Sequence, residues 1–316
     1  MSAFAFVFPG QGSQAVGMLD AWGDHPAVRE TLKEASDALG EDVARLIHEG
    51  PKETLALTAN TQPVMLTAGV ACWRAWRAEG GGLPAAVAGH SLGEYSALVA
   101  AGALTLEQAA PLVRLRALAM QEAVPVGAGA MAAILGMPAD QVAAGCAEVT
   151  AGFGPGSAEV VEAVNFNDPS QTVIAGSKAA VEKACEQLKA QGAKRALPLP
   201  VSAPFHSSLM KPAAEKLKAA LESVHLAAPQ IPVVNNVDVA VQTEPARIKD
   251  ALYRQAFGPV RWVECVQKIK AMGAAAIVEC GPGKVLAGMS KRIAPDLTAA
   301  ALYDPATLAE VQAALA

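Results

Sequence analysis

The chain has 316 residues, 52% of them hydrophobic and only 4% aromatic, which is enough to bury a large core and too apolar for a disordered segment. Lys plus Arg number 25 against 30 Asp plus Glu, so the net charge of -5 excludes bulk attraction to nucleic acid or to an anionic membrane surface. The five cysteines, Cys72, Cys146, Cys185, Cys265 and Cys280, are scattered without C-x-x-C spacing, which predicts reduced thiols in a cytoplasmic protein and no metal site.

From the N-terminus, the apolar run over residues 4–8 has no basic residue before it and reads as a first strand rather than a signal peptide. Helices are predicted over 26–39, 43–48 and 62–78, a strand over 85–88 leading into a helix at 94–100, and a further helix over 106–124. No stretch reaches membrane-spanning length, since 85–104 is interrupted by His90 and Glu94. Such alternation predicts an α/β fold with a mostly parallel sheet covered on both faces.

The rhythm changes at Gly127. A strand at 130–135, a helix at 139–149, strands at 160–166 and 172–175, a helix at 178–190 and a strand at 195–199 give the order β-α-β-β-α-β of a ferredoxin-like module. The earlier rhythm then resumes, with a helix at 209–224, a strand at 231–235, helices at 248–257 and 260–272, a strand at 275–279 and two closing strand–helix steps. We therefore expect a discontinuous large α/β domain, residues 1–127 and 200–316, with residues 128–199 as an inserted ferredoxin-like small domain. The cleft between them is a natural place for a substrate.

The chemistry concentrates at Gly89-His90-Ser91-Leu92-Gly93, between the 85–88 strand and the 94–100 helix. This is the pattern of a nucleophile elbow, in which a sharp strand-to-helix turn exposes a serine hydroxyl and flanking glycines avoid a Cβ clash across the turn. A helix N-terminus at that point favours developing negative charge, so Ser91 is suited to attack acyl groups. The blander alternative is Ser91 as a helix N-cap.

Of the five histidines, His25, His48 and His225 sit at helix ends, and His90, adjacent to the nucleophile, points away from it and is expected to support the turn. His206 remains as the candidate base, in a loop between the strand leaving the small domain and the next helix. The turn Phe8-Pro9-Gly10-Gln11-Gly12-Ser13-Gln14 also fits a relaxed dinucleotide fingerprint, but the acidic residue that such a site needs would fall inside a helix. The better reading is an oxyanion loop, the backbone N–H near Gln11 acting with that of Leu92. Arg114 and Arg116 lie about 200° apart on their helix. One of them must therefore face inward, where a guanidinium calls for a planar anion such as a carboxylate.

Six segments, Phe8–Gln14, Gly89–Tyr95, Arg116 with Ala119-Met120-Gln121, Val164-Asn165-Phe166-Asn167, Ala203-Pro204-Phe205-His206 and Glu279-Cys280-Gly281-Pro282-Gly283, stand in an order that resembles the malonyl-CoA:acyl carrier protein transacylases. The resemblance runs to about residue 293. It implies a hydrolase-like large domain with a ferredoxin-like insertion, Ser91 as nucleophile, His206 as base, the amides of Gln11 and Leu92 as oxyanion hole, and Arg116 as ligand of the malonyl carboxylate. It further implies that a carbonyl in the segment of Gln255 orients the histidine, that Asn165 lies in the cleft, and that Phe205 matches a malonyl-selective pattern seen in related polyketide domains.

The expected reaction is malonyl transfer from malonyl-CoA to the phosphopantetheine thiol of acyl carrier protein, ping-pong through a malonyl-serine, by a cytoplasmic monomer that needs no metal or redox cofactor. Fatty acid and polyketide pathways both fit. A serine thioesterase and an inactive carrier-docking module are the alternatives, opposed by Arg116 and by the intact Ser91 and His206 respectively. Lys189, Lys194 and Arg195, or Lys284, Lys291 and Arg292, are the basic groups expected to meet an acidic carrier protein.

Overall fold

The computed structural model describes residues 3–201 and 203–316. It begins with strand β1 (Phe4–Phe8), then helices α1 (Pro26–Leu39), α2 (Val43–Glu49), α3 (Lys52–Leu55) and the long α4 (Thr58–Ala78). Strand β2 (Ala86–Gly89) turns directly into α5 (Gly93–Ala100), and α6 (Leu106–Glu122) follows behind a Thr105 capping box. Next come β3 (Gly129–Leu135), α7 (Ala139–Ala151), β4 (Val161–Asp168), β5 (Gln171–Ser177), α8 (Lys178–Ala190) and β6 (Arg195–Pro198). The remainder is α9 (Lys211–Ser223), β7 (Val233–Val234), α10 (Pro245–Phe257), α11 (Trp262–Ala271), β8 (Ala276–Cys280), α12 (Val285–Ile293), β9 (Thr298–Leu302) and α13 (Pro305–Leu315).

Two sheets result. One is parallel, in the order β7-β2-β1-β8-β9, and the other is antiparallel, in the order β4-β5-β3-β6. The first puts β1 at its centre because that strand is apolar on both faces. Phe4, Phe6 and Phe8 pack into a core with α4, α5, α6, α9 and α10, while Ala5 and Val7 pack with α11 and α12 on the opposite face. The second sheet encloses its own core against α7 and α8, around Ile134, Val142, Ile174 and Leu188. The fold is thus α/β, with a hydrolase-like parallel sheet and a ferredoxin-like antiparallel one.

The antiparallel sheet is tied to the segment ahead of α11 by main-chain hydrogen bonds: Phe166 N–H donates to the carbonyl of Val260 at 2.9 Å and Val260 N–H to that of Val164 at 2.8 Å. Arg292 on α12 adds an ion pair to buried Asp168 on β4, 2.8 Å.

Some expectations shift. Helix α4 starts a turn before residue 62, because a proline near a helix start removes one bond without ending the helix. The strand expected at 231–235 shortens to Val233–Val234 at the sheet edge. Beyond β8 there is one further strand–helix step rather than two, since α12 follows β8 directly and only β9 and α13 remain among the described residues.

Candidate active site

Ser91 stands between β2 and α5 with a left-handed backbone, φ 52°. The glycines on either side are a steric requirement, for a Cβ on Gly89 would lie 1.8 Å from the Gly93 carbonyl carbon, and one on Gly93 would lie 2.1 Å from the Phe8 oxygen. Asn236, in the loop after β7, holds the turn from the front: its Oδ1 accepts the Ser91 N–H at 2.8 Å and its Nδ2 donates to the Gly89 carbonyl at 2.8 Å. Gln255 on α10 holds it from behind, donating Nε2 to the Ser91 carbonyl at 2.9 Å.

His206 reaches the same hydroxyl, with Nε2 2.7 Å from Ser91 Oγ. Its Nδ1 lies 2.9 Å from the carbonyl oxygen of Gln255. A carbonyl only accepts, so Nδ1 carries the proton and Nε2 is left bare toward the serine. Burial lowers the His206 pKa to about 3, helped by the positive charge of Arg116, so the imidazole is neutral at physiological pH.

Helix α6 resolves the arginine pair. Arg114 points outward to Glu41, with contacts of 2.9 and 2.6 Å, and Arg116 is buried in the cleft. Arg116 Nη1 donates to Gln62 Oε1 at 2.7 Å, and Nη2 donates to Gln255 Oε1 at 3.0 Å and to Ser91 Oγ at 3.2 Å. Its guanidinium lies over the Tyr95 ring, 5.6 Å from the centroid, and its Nε is buried without a partner among the described residues. Donor capacity therefore remains next to the serine hydroxyl.

Gln11, His90, Leu92, Asn165, Phe205 and the apolar side chains of Met120, Met131, Leu199 and Val201 line the cleft around these groups. The amides of Gln11 and Leu92 donate to no acceptor among the described residues, so both remain available to a ligand oxygen. His90 turns from Ser91 to bond Asn167 through Nε2 at 2.8 Å, and its ring packs on Trp262 with centroids 5.5 Å apart. Asn165 Oδ1 is buried in the cleft wall without a partner among the described residues. All nine residues singled out from the sequence meet at this one place. Three more polar groups belong to it and were not foreseen: Gln62, Asn236 and the buried Glu94, which accepts the Asn236 N–H at 2.9 Å and Gln255 Nε2 at 3.1 Å. Gln62 is one of several polar residues on α4, beside Asn60 and Thr61, and nothing in the sequence set it apart.

A strained serine bonded to a neutral histidine, in a cleft between a parallel α/β sheet and a small antiparallel one, defines a serine acyltransferase, and residues 5–301 match the family model described as acyl transferase domain. The chain is 54% identical over 309 residues to the malonyl CoA-acyl carrier protein transacylase of Salmonella typhimurium, covering 98% of each. It is 47% identical to that of Bacillus subtilis, covering 98% of this chain and 96% of that one. The acyl-carrier-protein S-malonyltransferase of Burkholderia pseudomallei matches in structure with a TM-score of 0.95 at 64% identity, over 98% of this chain and 99% of that one. A type II PKS acyl-carrier protein in complex with its malonyl-transacylase matches with a TM-score of 0.94 at 51% identity, over 98% of each chain. The chain belongs to the malonyl CoA-acyl carrier protein transacylase family.

Proposed function

We propose that the chain moves the malonyl group from malonyl-CoA to the phosphopantetheine thiol of acyl carrier protein by way of a malonyl ester on Ser91, for fatty acid or polyketide synthesis. Ser91 Oγ attacks the thioester carbonyl as its proton passes to His206 Nε2. The amide N–H groups of Gln11 and Leu92 hold the oxygen of the tetrahedral intermediate. Collapse expels the CoA sulfur, which leaves as the thiol with the proton from His206. In the second half-reaction the carrier thiol gives its proton to His206 and attacks the ester, and Ser91 takes the proton back.

The observation that carries this reading is Arg116 Nη2 at 3.2 Å from the Ser91 hydroxyl. An acyl chain of malonyl length on that oxygen brings its terminal carboxylate back to the guanidinium, whereas an uncharged acyl group leaves a buried cation without a new partner. The Gln255 carbonyl orients His206 in place of a triad carboxylate, Asn165 and Phe205 shape the cleft, and His90 braces the elbow through Asn167. Residues 128–199 act as an inserted unit closing the cleft over a large domain of 1–127 and 200–316, in a cytoplasmic monomer that uses no cofactor besides its two substrates. Intact-mass measurement tests the scheme. Malonyl-CoA alone should add one malonyl mass, and acyl carrier protein should remove it; a malonyl group that passes to water at the same rate without carrier protein identifies a hydrolase instead.

A further inference from the structure

Glu94 sits in the first turn of α5 and is 2% exposed. One of its oxygens, Oε2, accepts both the backbone N–H of Asn236, 2.9 Å, and Gln255 Nε2, 3.1 Å. Those two residues hold the elbow, the base and the arginine. Asn236 spans the elbow from Gly89 O to Ser91 N–H, and Gln255 touches Ser91 O, the His206 ring and Arg116. The carboxylate also fixes which way the Gln255 amide faces, because an acceptor can take only the NH2 end, which leaves Oε1 for Arg116.

Charge leads to the same residue. The buried carboxylates among the described residues are Glu94, Asp168 and Glu279. Asp168 is paired with Arg292, and Glu279 accepts the Ala287 N–H at the start of α12, 2.9 Å. Arg116 makes no ion pair with a carboxylate among the described residues, and Glu94 makes none with a cation, so each is the other's nearest compensation across Gln255. We propose that Glu94 is a positioning residue of the transfer reaction, setting Ser91 and His206 through Asn236 and Gln255, and that its negative charge balances Arg116 until the malonyl carboxylate takes that place. The second half of this inference rests on the reading of Arg116 given above.

The other groups facing Glu94 do not supply the balance. Burial keeps Tyr95 protonated, with its pKa raised to about 12, and raises the Cys265 thiol on α11 as well. Asp238, beyond β7, is held by Arg254 through two contacts of 2.7 Å. His90 and His206 are lowered by burial and stay neutral. Glu94 itself is raised to about 7 by burial, against the pull of its hydrogen bonds and of Arg116. Below that pH it is protonated and leaves Arg116 free for an incoming carboxylate. As pH rises through it, Glu94 ionises, competes for Arg116, and malonyl-CoA binds less tightly.

Rapid-quench acylation of the full chain by malonyl-CoA and acetyl-CoA, from pH 6 to 8.5, gives maximal rate and half-saturation separately. Glu94→Gln keeps an acceptor oxygen and removes the charge. At pH 8 it should lower half-saturation by malonyl-CoA roughly three- to tenfold relative to acetyl-CoA, and it should abolish the rise in half-saturation that wild type shows with pH. Glu94→Asp keeps the charge and withdraws the oxygen by about one bond, so the pH dependence should stay while the maximal rate falls at least about tenfold with both donors. A Glu94→Gln enzyme with the wild-type pH profile overturns the charge role, and a Glu94→Asp enzyme at the wild-type maximal rate overturns the positioning role. Failure of the Arg116 reading shows elsewhere, as malonyl preference surviving in Arg116→Ala with Glu94 intact.

Discussion

Ser91 Oγ and His206 Nε2 are 2.7 Å apart, and both residues hold left-handed backbones, φ 52° and 66°. For residues with a Cβ such a conformation costs about 1–3 kcal/mol, and it persists only where neighbours over-determine it. Here the neighbours are Asn236 and Gln255, so the strain, the nucleophile and its base are governed by the same few hydrogen bonds.

Malonyl-CoA should label Ser91 with one malonyl mass, and Ser91→Ala should abolish the label. His206→Ala should slow acylation by roughly 10²–10⁴-fold. Because burial takes the His206 pKa to about 3, the maximal acylation rate should stay level from pH 8 down to pH 5. A fall with an apparent pKa near that of a free histidine would show that His206 is hydrated and cationic in the working enzyme.

Removing the guanidinium should cost specificity more than fold. Charge-assisted hydrogen bonds contribute roughly 1.5–3 kcal/mol and a buried arginine left unpaired adds a further penalty, so wild type should reject acetyl-CoA by at least about 10²-fold and Arg116→Ala should narrow or reverse that ratio. Competition of the two donors for one enzyme sample reads it directly.

Glu279 is buried at the end of β8 and its pKa is raised to about 7 by loss of solvent, despite accepting backbone N–H groups of α12. A carboxyl whose folded pKa lies above its unfolded value of 4.5 binds its proton more tightly when folded, so its contribution to stability declines as pH rises from 4.5 through 7. Glu279→Gln lacks that decline. The stability of the variant relative to wild type should therefore improve between pH 5 and pH 8, by at most about 3 kcal/mol, in urea titrations at the two pH values. A difference independent of pH would mean that Glu279 titrates normally.

The elbow should tolerate no added carbon. Gly93→Ala places a methyl 2.1 Å from the Phe8 oxygen, and main chain in the middle of a sheet cannot move aside. The expected loss is at least about 1–3 kcal/mol of stability together with most of the acylation rate, and thermal melting with mass labelling measures both. Wild-type labelling in a variant of wild-type melting temperature would refute the steric requirement.

Carrier-protein docking should depend on local charge in a chain that is acidic overall. Lys189, Lys194 and Arg195 at the end of α8 and the start of β6 are exposed, as are Lys284 and Lys291 at either end of α12. Arg292 is already engaged with Asp168 and is the weaker candidate. Reversing two charges within either group should raise the KM for acyl carrier protein and flatten its salt dependence, while self-acylation by malonyl-CoA stays unchanged. Indifference of both groups to reversal and to ionic strength excludes these surfaces.

The sequence made the fold legible where period and punctuation agreed. Phe4 to Phe8 is apolar on both strand faces, helix 178–190 carries a clear amphipathic stripe, and the glycines around Ser91 announce their turn. Helix geometry showed that only one of Arg114 and Arg116 could face inward, because a helix cannot turn residues two apart to one side, and the family resemblance picked out Arg116. Glu94 and Asn236 were not. Their partners lie 142 to 161 positions away, and nothing local distinguishes a buried carboxylate in a helix first turn from a solvated one that favours the dipole. The edge strand β7 was overestimated because β propensity ignores how few neighbours an edge residue has to pair with.

The isolated main-chain bridge between β4 and Val260 bears on how this cleft can change. Moving β4 away from that segment means breaking two peptide hydrogen bonds, whereas a wall side chain changes by substitution alone. The direct route to longer or branched acyl groups is therefore exchange of wall side chains such as Met120, Met131, Leu199 and Phe205. A fold wired in this way can acquire new substrates by point substitution while its frame and its chemistry stay as they are.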